Sequence, residues 1–130
     1  MKPLRLLLPL LFLAGCSNGG VPRIEMSEFD RLRGAGTVVI VDVRSRLEYE
    51  AGHLPGAISM PIDQIEARID ELKNVQGRIV TYCSCAAEET SLAATATMAR
   101  LGVRDARALV GGFPGWVAAG RRVVKGPAPM

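Results

Sequence analysis

The 130-residue sequence is poor in histidine, aromatics and cysteine, with one His, one Trp, two Tyr, three Phe and three Cys. Cysteines at 16, 83 and 85 are too few for a disulfide scaffold, and their spacing separates the first from the other two. With aromatics at 5% and a formal charge of +3, there is no basic, aromatic-studded face of the kind that grips nucleic acid. Setting aside Lys2 and Arg5, 14 basic groups meet 13 acidic ones, a net of +1. A long apolar run is also missing. The stretch from Leu6 to Ala14 is nine residues and is interrupted by Pro9, whereas a spanning helix needs about 20 apolar residues. What remains, 48% hydrophobic and 22% charged, is the composition of a packed globular protein, and the length suits one domain rather than two.

The first residues read as an address. Lys2 and Arg5 precede the apolar run, and small residues precede Cys16, which is signal-peptide grammar over 1–15. Leu13-Ala14-Gly15-Cys16 resembles the lipobox of bacterial lipoproteins, which implies cleavage before Cys16 and acylation of its thiol and new amino terminus. Several acyl chains make a stable anchor where one would not. The expectation is a 115-residue mature protein facing the periplasm, tethered through a linker over 16–23. Ser17 stands where an Asp commonly retains lipoproteins at the inner membrane, which favours the outer membrane.

The remainder alternates strands and helices. Ser27-Glu28-Phe29-Asp30 predicts the capped start of a short helix ending near Gly34 and Gly36. Thr37 to Val43 is a β-branched run, the pattern of a strand buried on both faces. A short helix over 45–51, a strand over 57–60 and an amphipathic helix built on Ile62, Ile65, Ile69 and Leu72 follow. Then come a strand over 78–82, a helix from Ser91 to Leu101 with Leu92, Thr95, Met98 and Ala99 inward, a strand over 106–110 and a helix over 113–119. This order predicts a three-layer α/β/α domain over 24–120, with a mostly parallel sheet of four or five strands. Residues 121–130, with two Pro and a Gly, are predicted to be a loosely ordered tail.

Ligands in an open α/β sheet bind outside the carboxyl ends of the strands. Two segments lie there: Asp42-Val43-Arg44, and the loop from Cys83 to Thr90. Cys85 stands just ahead of a predicted helix, whose unsatisfied N–H groups and positive dipole end favour a thiolate and any anion bound to it. Cys83, closer to the strand, reads as a small buried hydrophobe.

The residues from Asp42 to Ala57, Asp-Val-Arg-Ser-Arg-Leu-Glu-Tyr-Glu-Ala-Gly-His-Leu-Pro-Gly-Ala, resemble the first signature of rhodanese-like domains, a fold shared by sulfurtransferases and a class of protein-tyrosine phosphatases. Gly111-Gly112-Phe113 with Trp116 is similar to the family's C-terminal signature. In that family a reactive Cys opens a six-residue loop, and counting back from Leu101-Gly102 places Cys85 at that position. The resemblance therefore implies sulfur transfer through a persulfide on Cys85, held by the loop Ala86, Ala87, Glu88, Glu89, Thr90 and Ser91. It implies a small sulfur donor, a thiol or cyanide acceptor, no cofactor, and a monomer. For His53 it implies a structural hydrogen-bonding role.

Two departures stand out. Family loops commonly carry Gly at the fourth position and often an Arg; here the fourth residue is Glu88, the fifth is Glu89, and no Arg or Lys lies between Arg78 and Arg100. The expectation is an acidic rim unfavourable to thiosulfate. A phosphatase needs Arg six residues after its Cys, whereas Ser91 follows Cys85 at that distance and Glu89 follows Cys83. Asp42, Arg44 and Glu48 are expected to form a polar cluster that fixes the turn, and the hydroxyls of Ser84, Thr90 and Ser91 to act as caps or anion contacts. No metal site is expected, because only Cys83, Cys85 and His53 are available as ligands. Two other classes remain open: a rhodanese-fold binding module whose acidic loop meets a protein partner, and a thiol redox protein using Cys83 with Cys85. A bond between those two would close over one residue and be strained and labile.

Overall fold

The computed structural model describes residues 20–128, so the signal-like segment and Cys16 lie outside the described residues. Strands β1 (Arg23–Ile24), β2 (Val38–Asp42), β3 (Ile58–Ser59), β4 (Arg78–Tyr82) and β5 (Ala106–Leu109) form one sheet in the order β1-β5-β4-β2-β3. Every pair is parallel. Helices α1 (Met26–Ala35), α2 (Arg46–Ala51), α3 (Ile69–Lys73), α4 (Glu89–Arg100) and α5 (Gly112–Ala118) cover its faces.

The β-branched runs form central strands because both of their faces are buried. Along β2 and β4 successive side chains serve opposite cores, as the two-residue period of a strand requires. Val41, Ile79 and Cys83 join Ile65, Leu72, Ala94 and Met98 beneath α3 and α4. Ile40, Val80 and Tyr82 join Phe29, Tyr49, Leu109 and Trp116 beneath α1, α2 and α5. The three-layer expectation holds.

Several local expectations do not. Arg23, placed in the linker, pairs with Ala108, and its neighbour Ile24 with Leu109, as edge strand β1. Burial of Ile24, 2% exposed, draws the chain into the sheet there. The N-cap of α1 is Glu25 and not Ser27. The amphipathic helix over 62–72 is broken into a 3-10 turn, Ile62–Gln64, and the short α3. Its apolar spacing still buries Ile65 and Leu72, but Arg68 reaches back to the Ser59 carbonyl at 2.9 Å, a tie to β3 that replaces helical continuity. In α4 the buried side chains are Ser91, Ala94, Thr95 and Met98, with Leu92 half-buried and Ala99 exposed.

Where the sequence predicts a loosely ordered tail, the described part of it packs back on the domain. Trp116 Nε1 donates to Arg122 O at 2.8 Å, Val124 and His53 exchange backbone bonds of 2.8 and 2.9 Å, and Gly126 N donates to Glu50 O at 2.9 Å. Arg121 pairs with Asp30, its Nη2 lying 2.7 Å from Oδ2. Proline content carries no signal of these ties.

The connection after β2 leads outward to β3, while that after β4 leads the other way to β5. Their helices pack on opposite faces. The carboxyl ends of β2 and β4 therefore flank the switch point, where an α/β sheet opens a crevice.

Candidate active site

Asp42 ends β2 fully buried, and its charge is met on several sides. Arg44 binds it through Nε, at 3.0 Å from Oδ1, and through Nη2, at 2.7 Å from Oδ2. The Arg44 backbone N–H adds a bond of 3.0 Å, and the Tyr82 hydroxyl donates to Oδ2 at 2.5 Å. Nη2 of Arg44 also reaches the Gly52 carbonyl at 2.6 Å, closing the segment between β2 and α2 on itself. The guanidinium lies 4.0 Å from the Phe113 ring centroid, a stacking that only a planar cation can make. Burial and the Asp42 charge push the Tyr82 phenol well above its ordinary range, so it stays a donor.

Glu48 is not part of that cluster. It stands in a capping box, its Oε2 accepting from Ser45 N at 3.1 Å and from Ser45 Oγ at 2.9 Å, while Ser45 Oγ accepts from Glu48 N at 3.2 Å. The Ser-x-x-Glu spacing carries that signal in sequence. Tyr82 does not announce itself, because its partner Asp42 is 40 residues away.

His53 is held by contacts to α2 and to the segment after α5. Its Nδ1 lies 2.7 Å from Tyr49 O, its ring stacks on Tyr49 with centroids 3.7 Å apart, and its backbone bridges to Val124. It lines a cleft with Gly56 and Lys125, separate from the one that holds Cys83 and Cys85.

Beyond β4 the chain passes through Cys83, 1% exposed, whose Sγ lies 3.6 Å from Ser91 Oγ. Burial raises this thiol above its ordinary pKa. Its carbonyl accepts from Phe113 N at 2.9 Å. A Cβ on Gly112, at φ +50°, would stand 2.4 Å from that oxygen, so only glycine lets the turn before α5 seat here.

Cys85 is partly exposed in a cleft of about 400 Å³ lined also by Arg44, Glu48, Ile62, Ser84 and Thr90. A turn from Cys85 O to Glu88 N, 3.4 Å, leads into α4. The six-residue loop is shorter than expected: α4 begins at Glu89, so Glu89 and Thr90 belong to its first turn. Cys85 Sγ lies 3.0 Å from Thr90 Oγ1. The Thr90 hydroxyl and backbone hydrogen bonds lower the Cys85 pKa, against the opposing pull of burial and of the Glu89 charge. Helix-start donors thus favour the thiolate, the nucleophilic form.

The two loop glutamates differ. Glu89 faces the loop, its Oε2 3.3 Å from Ala87 N, so it occupies a backbone donor and places a negative charge beside the thiol. Glu88 is turned away. Its Oε1 accepts from Gly111 N at 2.9 Å, and Oε2 lies 3.8 Å from Arg23 Nε. The expected acidic rim of two carboxylates is therefore corrected to one. Ser91 Oγ donates to Glu88 O at 3.1 Å, a cap that turns its hydroxyl inward. Ala86 and Ala87 form the exposed tip. A second cleft, about 430 Å³ between Leu72 and Asp105, lies toward the amino ends of the strands and contains no thiol.

The rhodanese-like domain family matches residues 25–119. A human thiosulfate:glutathione sulfurtransferase is 27% identical over 111 residues, covering 75% of this chain and 95% of that protein. A Mycobacterium tuberculosis HTH-type transcriptional regulator is 48% identical over 60 residues, which is 46% of this chain and 26% of the regulator, so the chain spans only a quarter of that relative. The solved thiosulfate sulfurtransferase of Pseudomonas aeruginosa superposes with TM-score 0.73 at 28% identity, over 83% of this chain and 21% of that one. The chain belongs to the rhodanese-like domain family and has sulfurtransferases among its relatives.

Proposed function

We propose that this rhodanese-like domain is a sulfurtransferase acting through a persulfide on Cys85, and that a lipid on Cys16 carries it at a bacterial envelope, facing the periplasm. The chemical half rests on one observation: the partly exposed Cys85 thiol meets the Thr90 hydroxyl at 3.0 Å at the start of α4. The Cys85 thiolate attacks the sulfane sulfur of a donor. With thiosulfate, the new S–S bond forms as the bond to sulfite breaks, and sulfite leaves with the electron pair. Loop N–H groups hold the terminal sulfur anion. An acceptor thiolate then attacks that sulfur, leaving as its own persulfide and restoring the Cys85 thiolate; cyanide would leave as thiocyanate.

The human relative carries thiosulfate and glutathione in its name. For this chain the Glu89 charge beside the thiol favours a donor with less negative charge than thiosulfate, such as a low-molecular-weight persulfide, with a small thiol as acceptor. Incubation with each donor followed by intact mass measurement tests the reading. Uptake of one sulfur atom supports it, and its absence with every donor favours the binding-module alternative. The dithiol redox reading loses ground to Cys83, whose thiol is buried and raised in pKa.

The anchoring half rests on the Leu13-Ala14-Gly15-Cys16 sequence. In bacteria, Cys16→Ala should leave the precursor unprocessed and without acyl chains. Normal cleavage and membrane retention in that variant would defeat this half alone.

A further inference from the structure

Glu88 is the one non-glycine residue with positive φ among the described residues, at +56°. Such a conformation is unfavourable for an L-residue and persists only where its surroundings hold it. The side chain shows what holds it. The residue is 9% exposed, its carboxylate takes the Gly111 N–H at 2.9 Å, and Arg23 on β1 faces its other oxygen at 3.8 Å. Glu88 also caps α4 with its backbone, for its carbonyl accepts from Leu92 N at 2.8 Å and from Ser91 Oγ at 3.1 Å. Two residues later comes Thr90, whose hydroxyl contacts Cys85 Sγ.

We propose that Glu88 is a positioning residue for Cys85: its carboxylate, tied to Gly111 and facing Arg23, fixes the left-handed turn that aims the first turn of α4 at the thiol. Glycine at this place would adopt the turn freely but would not hold it. Here a buried side-chain tie to the β5–α5 turn supplies the restraint, and it connects the reactive loop with β1, the strand that follows the predicted linker. This inference builds on the assignment of Cys85 as the reactive group, but its test requires no sulfur transfer.

The test is the pH dependence of Cys85 alkylation by iodoacetamide, with the modified residue identified by peptide mapping and unfolding followed in parallel. Glu88→Gln retains an oxygen for the Gly111 N–H, so its pH midpoint should stay near that of the native protein. Glu88→Gly accommodates the positive φ and should fold, yet it loses the tie. Its midpoint should move up, with alkylation near neutral pH about fivefold slower. Glu88→Ala should show the same shift with lower stability. A native profile in Glu88→Gly would overturn the proposal, because backbone freedom alone would then suffice. A shift in Glu88→Gln as large as that in Glu88→Gly would overturn it as well, because the bond to Gly111 would not be what holds the loop. If these profiles behave as expected while no donor loads sulfur, the sulfurtransferase reading fails and the positioning role stands.

Discussion

Thr90 Oγ1 lies 3.0 Å from Cys85 Sγ, joining the first turn of α4 to the one partly exposed thiol among the described residues. This contact is the leading reason that the Cys85 pKa is lowered. Thr90→Val keeps the shape and removes the hydroxyl. A hydrogen bond to a charged group contributes on the order of 1 to 3 kcal/mol, and partial exposure puts this one at the low end. The sign is direct: the folded protein releases the Cys85 proton at lower pH than an ordinary thiol would, and the variant should release it at higher pH. Alkylation of Cys85 near neutral pH should slow by about fivefold, converging with the native rate in strong alkali.

Asp42 and Arg44 form a fully desolvated pair, with side chains 0% and 5% exposed. Removing one charge from such a pair leaves the other uncompensated, which costs about 3 to 5 kcal/mol. Asp42→Asn should therefore unfold at much lower urea concentration than the native protein. An unchanged midpoint would show that the Gly52 carbonyl and the Ser84 hydroxyl satisfy Arg44 without it.

Glu89, and not Glu88, opposes an approaching anion. Glu89→Ala should lower the KM for thiosulfate several-fold, an effect that shrinks as salt is raised, since a unit charge near 4 Å acts with about 1 kcal/mol in water-like surroundings. Glu88→Gly should give no such gain. Steady-state kinetics at low and high ionic strength separate the two residues.

The tail contributes to the fold. Deleting 121–130 removes the Arg121–Asp30 pair, the Trp116 contact with Arg122 and the His53–Val124 bridge. With net backbone hydrogen bonds worth about 0.5 to 1.5 kcal/mol each, a loss of about 2 to 4 kcal/mol is expected in thermal or chemical unfolding. Asp30 adds a pH dependence. Arg121 lowers its pKa, so that part of the stability is present above the ordinary carboxylate range and fades as pH falls through the lowered value.

Much of this architecture is legible in the amino-acid order because it rests on local period and capping. Thr37 to Val43 carries the β-branched pattern of a strand buried on both faces, and Ser45 with Glu48 marks the start of α2 three residues apart. Cys85 emerges from its position ahead of a helix. What stays hidden is held by pairs distant in sequence. Glu88 reads as part of an acidic rim until Gly111, 23 residues on, is seen to take its carboxylate. Arg23 reads as linker until β5 pairs with it. Tyr82 reads only as the end of a strand until its hydroxyl is found on Asp42. Hydrophobic period reports which face is buried, but it is silent on which polar group lies across the sheet.

Cys85 is the proposed carrier of the transferable sulfur. The most direct measurement is intact mass, followed by peptide mapping, of the native protein, Cys85→Ser and Cys83→Ser after exposure to thiosulfate and to a low-molecular-weight persulfide. The native protein and Cys83→Ser should each gain one sulfur atom, mapped to Cys85, and Cys85→Ser should gain none from either donor. A persulfide mapped to Cys83, or sulfur retained by Cys85→Ser, would contradict the account.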